Sequence, residues 1–224
     1  MLTAATGKSP AYGRPLAPVQ SHPPSEGPLG LMGVPMRFAR NVEIFGGDEP
    51  AEYLYQVSSG AVRTYRMLDD GRRQICAFYL PGDIFGVEAG DVHRSSAEAI
   101  CDAHVLVVKR SAVMARAEHD KDLARQLWKL IVRDLQRVQE HSLVLVKTAE
   151  ERLAGFLLEI ASRKSNAGAI ELAMSRQDIA DYLGLTIETV SRTFSQLVQS
   201  GTITLETSRR VVFRSRAALN RLNA

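Results

Sequence analysis

Residues 174–201 read MSRQDIADYLGLTIETVSRTFSQLVQSG, a stretch in which helix start and stop signals follow one another closely. Ser175 is an N-cap candidate with Asp178 three residues on, at the capping-box position. Ile179, Ala180 and Leu183 then make a short apolar face, and Gly184 supplies a turn. A second helix is predicted to start near Thr186 and to bury Val190, Phe194, Leu197 and Val198. It stops at Gly201, a residue suited to the left-handed conformation at a helix end. Two short helices joined by a glycine-containing turn are the pattern of a helix-turn-helix.

The polar side of the second helix separates this pair from a generic one. Thr186, Glu188, Thr189, Ser191, Arg192 and Ser195 lie off the apolar stripe and near the helix N-terminus, where a recognition helix meets base edges. Arg192 is suited to donate two hydrogen bonds to guanine O6 and N7, and Glu188 to accept one from cytosine N4. The competing reading is a solvated Glu188–Arg192 ion pair at i,i+4. Ser175, Arg176, Gln177, Thr186 and Thr189 stand at the two helix starts, where free backbone N–H groups and the helix dipole favour phosphate. A charge introduced at Ser175 is expected to repel DNA there. Behind Gly201, TITLE (202–206), the turn 207–210 and VVF (211–213) read as a hairpin wing, whose Arg209 and Arg210 are candidates for backbone phosphate.

Upstream, Thr148 with Glu151 forms another capping box ahead of Leu153, Phe156, Leu157 and Ile160, and marks a domain boundary. Before it, Leu123, Leu127, Ile131, Leu135, Val138, Ser142 and Leu145 recur at steps of three and four, with Arg125, Lys129, Arg133 and Arg137 on other faces. A helix of about 25 residues spans about 37 Å, more than one small domain covers, so a dimer seam is expected through Leu123, Leu127, Ile131, Leu135, Val138 and Leu145. Earlier still come short alternating runs at 42–45, 53–57, 61–67, 73–79 and 104–110, punctuated by Gly46-Gly47, Ser59-Gly60, Asp69-Asp70-Gly71 and Pro81-Gly82-Asp83. Their spacing predicts a β-sandwich or jelly-roll barrel. Residues 1–36 hold seven of the nine prolines and few large apolar residues, and are expected to form a flexible tail. The expected organisation is α+β: tail 1–36, β-roll sensor-type domain 37–115, dimerisation helix 116–147 and winged helix-turn-helix 148–224.

Composition excludes little but is informative. With 45% hydrophobic residues and no long apolar run, neither a membrane span nor a secretory signal is expected, and a cytoplasmic location follows. A net charge of +3 permits nucleic acid without demanding it. Cys76 and Cys101 have no metal spacing, and buried core cysteines are the expectation. His93 has no companion histidine at metal-ligand spacing. An enzyme built on a cupin-like barrel would need a convergent His/Glu set in the strands, which the sequence does not offer.

The motif SRQDIADYLGLTIETVSR, together with the order β-roll, long helix, winged helix-turn-helix over residues 40–220, resembles the Crp/Fnr superfamily of bacterial regulators. It is most similar to the FixK-type branch, which controls microaerobic and nitrogen-fixation-related genes in rhizobia. The family's E-x-x-S-R pattern falls on Glu188, Ser191 and Arg192. The resemblance implies a homodimeric activator that binds a palindrome of TTGA half-sites, TTGA-N6-TCAA, and recruits RNA polymerase. Ile187 stands where the catabolite-regulator branch has arginine, and an apolar side chain suits a thymine methyl. Residues 1–75 carry no cysteine, so the iron-sulfur centre of the Fnr branch is not expected. Of the phosphate-binding stretch of cyclic-AMP receptors there remain Gly86-Val87-Glu88 and, after a shortened interval, Arg94-Ser95. The expectation is therefore an effector-free regulator with no cofactor, and the alternative is a cyclic-nucleotide- or otherwise ligand-gated one.

Overall fold

A computed structural model describes residue 29 and residues 33–143, 146–163 and 168–223. Its alternating N-terminal runs form two antiparallel four-stranded sheets. One has β1 (Val34–Phe38), β8 (Ala103–Lys109), β3 (Tyr53–Ser59) and β6 (Ile84–Phe85) in that order; the other has β2 (Glu43–Phe45), β7 (Ser96–Ala99), β4 (Val62–Met67) and β5 (Arg73–Tyr79). Between them lie Phe45, Tyr55, Val57, Val62, Tyr79, Phe85, Ala97 and Val105, so the inward residues of both sheets make one roll core.

The expected tail is corrected at its C-terminal end. Leu29 is fully buried beside Leu54, Ile84, Val108 and Val113, and Val34–Phe38 pairs with β8. Pro35 is tolerated because β1 is an edge strand, where a missing N–H costs no ladder bond. Gly33 donates its N–H to the Leu29 carbonyl, and residues 1–28 and 30–32 lie outside the described residues.

The helical period that starts near residue 111 is divided. Helix α1 (Arg110–His119) ends at Asp120, whose backbone turns extended, and α2 (Lys121–Leu143) begins there with Asp120 Oδ1 accepting the Leu123 N–H at 3.0 Å. The helix expected from 116 thus begins at Lys121, because a short capping side chain offers the backbone a way out of the preceding helix; residues 144 and 145 lie outside the described residues.

The C-terminal unit contains α3 (Ala149–Ser162), β9 (Ala169–Glu171), α4 (Arg176–Leu183), α5 (Ile187–Gln199), β10 (Ile203–Leu205), β11 (Arg210–Phe213) and α6 (Arg216–Asn223). Helix α3 opens with the capping box of Thr148 and Glu151. The wing is the sheet β10-β11-β9. Arg210 is the first residue of β11, opposite Glu171, and not part of the turn. No helix among the described residues is long and apolar enough to cross a membrane.

Strand β5 packs against both units. In β5 the register with β4 runs Thr64 to Ala77 and then Tyr65 to Ile75, which leaves Cys76 as the extra residue of a bulge. The bulge turns Cys76 outward, so it is exposed and not a core cysteine; Cys101 is half-buried. Tyr79 faces the roll core, while Ile75, Phe78 and Leu80 pack with Phe156, Tyr182 and the rest of the helix-turn-helix core. Apart from the bulged Cys76, β5 thus contributes to the core of each unit from opposite faces.

Candidate nucleic-acid interface

The two helices are framed by local chemistry. Ser175 Oγ accepts the Asp178 N–H at 3.1 Å, and Asp178 Oδ2 accepts both the Ser175 N–H at 2.9 Å and its hydroxyl at 2.7 Å. At the other end of α4, Gly184 adopts φ 64° and ψ 40°, which only glycine reaches without strain against a Cβ. Thr186 then caps α5 by accepting the Thr189 N–H. Val190, Thr193, Phe194 and Leu197 are buried, and this stripe fixes which face of α5 turns outward.

On that outward face Glu188, Ser191, Arg192 and Ser195 are exposed and Ile187 is partly so. Glu188 lies in the first turn, and hydrogen bonds from its own backbone N–H and from Thr186 hold its carboxyl below the usual carboxylate range. It is thus an ionised acceptor at neutral pH. Arg192 Nη2 reaches Thr189 Oγ1 at 3.5 Å, and no Glu188–Arg192 ion pair forms among the described residues, so both side chains face solvent without engaging each other.

The residues expected at phosphate divide into free and committed ones. The guanidinium carbon of Arg176 stands 3.3 Å from the centroid of the Phe194 ring, a cation–π contact that ties the start of α4 to α5. Burial pushes its pKa down to about 10, which leaves it charged at neutral pH. Gln177 donates to Asp181 at 2.6 Å, and the Thr186 and Thr189 hydroxyls are 3.1 Å apart. In the wing, Arg210 pairs with Glu206 at 2.6 Å, whereas the turn before it holds Arg209 through its backbone, with the Thr207 hydroxyl accepting its N–H. Ser175 sits directly against the Asp178 carboxylate, so an aspartate introduced there would meet repulsion inside the motif as well as from any phosphate.

Helix α2 carries two stripes where the sequence suggested one. Leu123 is buried and Leu127 and Leu130 are partly so, against the protomer's own core. Below them on the same face, Arg137 pairs with Asp83 at 3.0 Å and the His141 ring stacks on Tyr182 with centroids 4.2 Å apart. The other face leaves Trp128 67%, Ile131 47%, Leu135 56% and Val138 64% exposed, at steps of three, four and three. Leu123 and Leu127 are therefore taken up inside the protomer, and Trp128 joins the outward stripe; its spacing from Ile131 and Leu135 is the signal that identifies it. Leu145 lies outside the described residues.

In the β-roll, the residual phosphate-loop residues close on each other. Glu88 Oε1 accepts the Arg94 N–H at 3.0 Å, and the Arg94 side chain is exposed. His93 is buried with its ring 3.7 Å from that of Phe45, near Tyr55 and Glu88, and burial holds its pKa below the usual value.

Comparison with known proteins agrees with this architecture over most of its length. Residues 151–222 match the family described as a Crp-like helix-turn-helix domain, and residues 35–120 match the cyclic nucleotide-binding domain. The chain is 54% identical over 202 residues to the nitrogen fixation regulation protein FixK of Azorhizobium caulinodans, covering 88% of this chain and 82% of that one. It is 42% identical over 181 residues to FixK of Rhizobium meliloti, covering 80% and 82%. The solved structure of FixK2 from Bradyrhizobium japonicum superposes with a TM-score of 0.82 at 50% identity, covering 86% of this chain and 98% of that one.

Proposed function

This chain belongs to the Crp/Fnr superfamily of transcription regulators, in its FixK branch, and we propose that it binds TTGA-N6-TCAA-like palindromes as a homodimer and activates transcription without a small-molecule effector. The observation that carries the reading is the outward face of α5, where an ionised Glu188 and an exposed Arg192 stand one turn apart with Ile187 and Ser191 beside them. On one G·C pair, Arg192 would donate to guanine and Glu188 would accept from cytosine, while Ile187 would meet a thymine methyl. Ser175, Arg176, Gln177, Thr186, Thr189, Arg209 and Arg210 would hold the backbone and set orientation without reading sequence.

The homodimer is supported by the exposed stripe Trp128, Ile131, Leu135 and Val138, since an apolar row of this spacing is stable in water only when a second helix covers it. Two-fold symmetry in the protein then matches two-fold symmetry in the site. Freedom from an effector is supported by the β-roll loop: the Glu88 carboxylate already accepts the Arg94 N–H, and its charge would repel a phosphate placed there. Acting on chromosomal DNA, the dimer would work in the cytoplasm and recruit RNA polymerase from the bound site in control of nitrogen-fixation-related genes.

The deciding experiment is binding of purified, ligand-free protein to a TTGA-N6-TCAA duplex against a scrambled one at fixed salt. Tight and selective binding is expected. Nonspecific binding alone would overturn the half-site, and selective binding that appears only after cyclic nucleotide is added, with a matching rise in Tm, would establish the ligand-gated alternative.

A further inference from the structure

In a dimer formed through α2, the two recognition helices stand where the contacts between each helix-turn-helix and its own β-roll and α2 put them. Those contacts are of two kinds. Phe78 meets Phe156 and Tyr182 with ring centroids 6.1 and 5.1 Å apart, an apolar attraction that holds the units together but tolerates sliding and rotation. The polar contacts tolerate neither.

Arg63 in β4 places Nη1 2.6 Å from Asp178 Oδ1 and Nη2 2.8 Å from Glu98 Oε1, with the Arg63 and Asp178 side chains only 9% and 6% exposed. Arg73 in β5 donates through Nη2 to the same Asp178 Oδ1 at 2.9 Å and to Asp181 Oδ2 at 2.7 Å, where its Nε also arrives at 2.9 Å. Asp178 Oδ2 is taken by Ser175, so every lone-pair direction of this carboxylate is used: half inside the helix-turn-helix, half by the β-roll. Planar guanidinium forks of this kind fix angle as well as distance. The carboxylate they grip is the capping-box residue of α4, one rigid glycine turn away from the recognition helix.

We propose that Arg63 and Arg73 are positioning residues that, through Asp178 and Asp181, set the separation and angle of the two recognition helices and so determine which half-site spacing the dimer accepts. The inference rests on the dimeric, palindrome-binding reading above. Spacing specificity is then a property of the β-roll, whereas base specificity belongs to α5. Adding one base pair to the spacer moves a half-site by about 3.4 Å and rotates it by about 34°. That displacement lies beyond what 2.6–2.9 Å hydrogen bonds survive.

The test compares full-length wild type with Arg63→Met and Arg73→Gln on TTGA-N5-TCAA, TTGA-N6-TCAA and TTGA-N7-TCAA duplexes, and on N6 duplexes with one half-site base replaced. Wild type should lose on the order of tenfold or more when the spacer changes by one pair, comparable to a base mismatch. In the variants the spacing penalty should fall to about threefold or less while the base penalty stays at its wild-type size. Arg73 is partly solvated, so Arg73→Gln carries the test if Arg63→Met does not fold. Spacing and base penalties that both persist in a folded variant, or that fall together, overturn the proposal. A wild type that ignores the spacer altogether overturns the palindromic reading on which it stands, and is distinguishable by that control alone.

Discussion

The outward face of α5 and the junction between β-roll and helix-turn-helix use the same residue types in opposite states. At the junction Arg63, Arg73 and Arg163 meet Asp178, Asp181, Glu159 and Asp83 in a largely buried network. On α5, Glu188 and Arg192 are exposed and do not pair with each other. A charge already matched inside the protein has little left to offer a ligand, and a charge held ready on a rigid helix has paid no desolvation cost in advance. Charges consumed inside the protein and charges left open to solvent are thus told apart by their partners, which residue identity alone does not reveal.

If that contrast holds, the largest effect of mutation falls at the junction and on stability. Arg63→Ala leaves the part-buried Glu98 without its guanidinium and Asp178 with only Arg73 and Ser175, and should cost about 3–5 kcal/mol in urea-induced unfolding. Arg192→Ala should leave unfolding within about 0.5 kcal/mol of wild type. It should weaken binding at the proposed site by about 1–3 kcal/mol and relax discrimination at one base position. Unchanged specific binding would show that Arg192 is not the reader.

A smaller difference is expected with pH. Burial lowers the pKa of His141 in the folded state from its ordinary value of 6.5, so the unfolded chain binds the proton first as pH falls. The stability its neutral form contributes is complete above pH 6.5 and is lost on descending toward the lower folded value. Glu159, facing the same junction, has its pKa raised by burial and contributes with the opposite sign nearer its ordinary value of 4.5. His141→Gln should therefore flatten the decline in unfolding free energy from pH 7 to 5.5, while Glu188, ionised throughout, leaves the outward face of α5 unaltered. An identical pH profile in the variant would remove His141 from the account.

The smallest effect belongs to the wing. Arg209→Ala should lower the slope of log K against log salt by about one, as the loss of one phosphate contact does, with no change in base preference. Arg210→Ala should change it less, because Glu206 already offsets that charge.

The helix-turn-helix was legible in its caps and its turn because those signals are local, whereas Val198, expected to be buried, is exposed at the open end of the stripe. Ser175 and Asp178, Gly184, Thr186 and Gly201 each act within four residues of chain, and the stripe of Val190, Phe194 and Leu197 settles the outward face by period alone. The two-residue β6 and the four-residue β7 escaped because their runs are too short for an alternation to show. Periodicity also could not divide α2: Leu123 and Leu127 on one side and Ile131, Leu135 and Val138 on the other satisfy the same three-and-four spacing, and only the position of the β-roll decides which stripe is covered. The bulge that turns Cys76 outward depends on pairing with β4, and the tie between Arg63 and Asp178 spans 115 residues. Sequence by itself thus determined the family, the order of elements and which face of α5 turns outward, all written in short-range capping and period. Tertiary structure alone decided which charges are consumed in joining the two units and which apolar face remains for a partner, because both depend on what surfaces distant segments bring together.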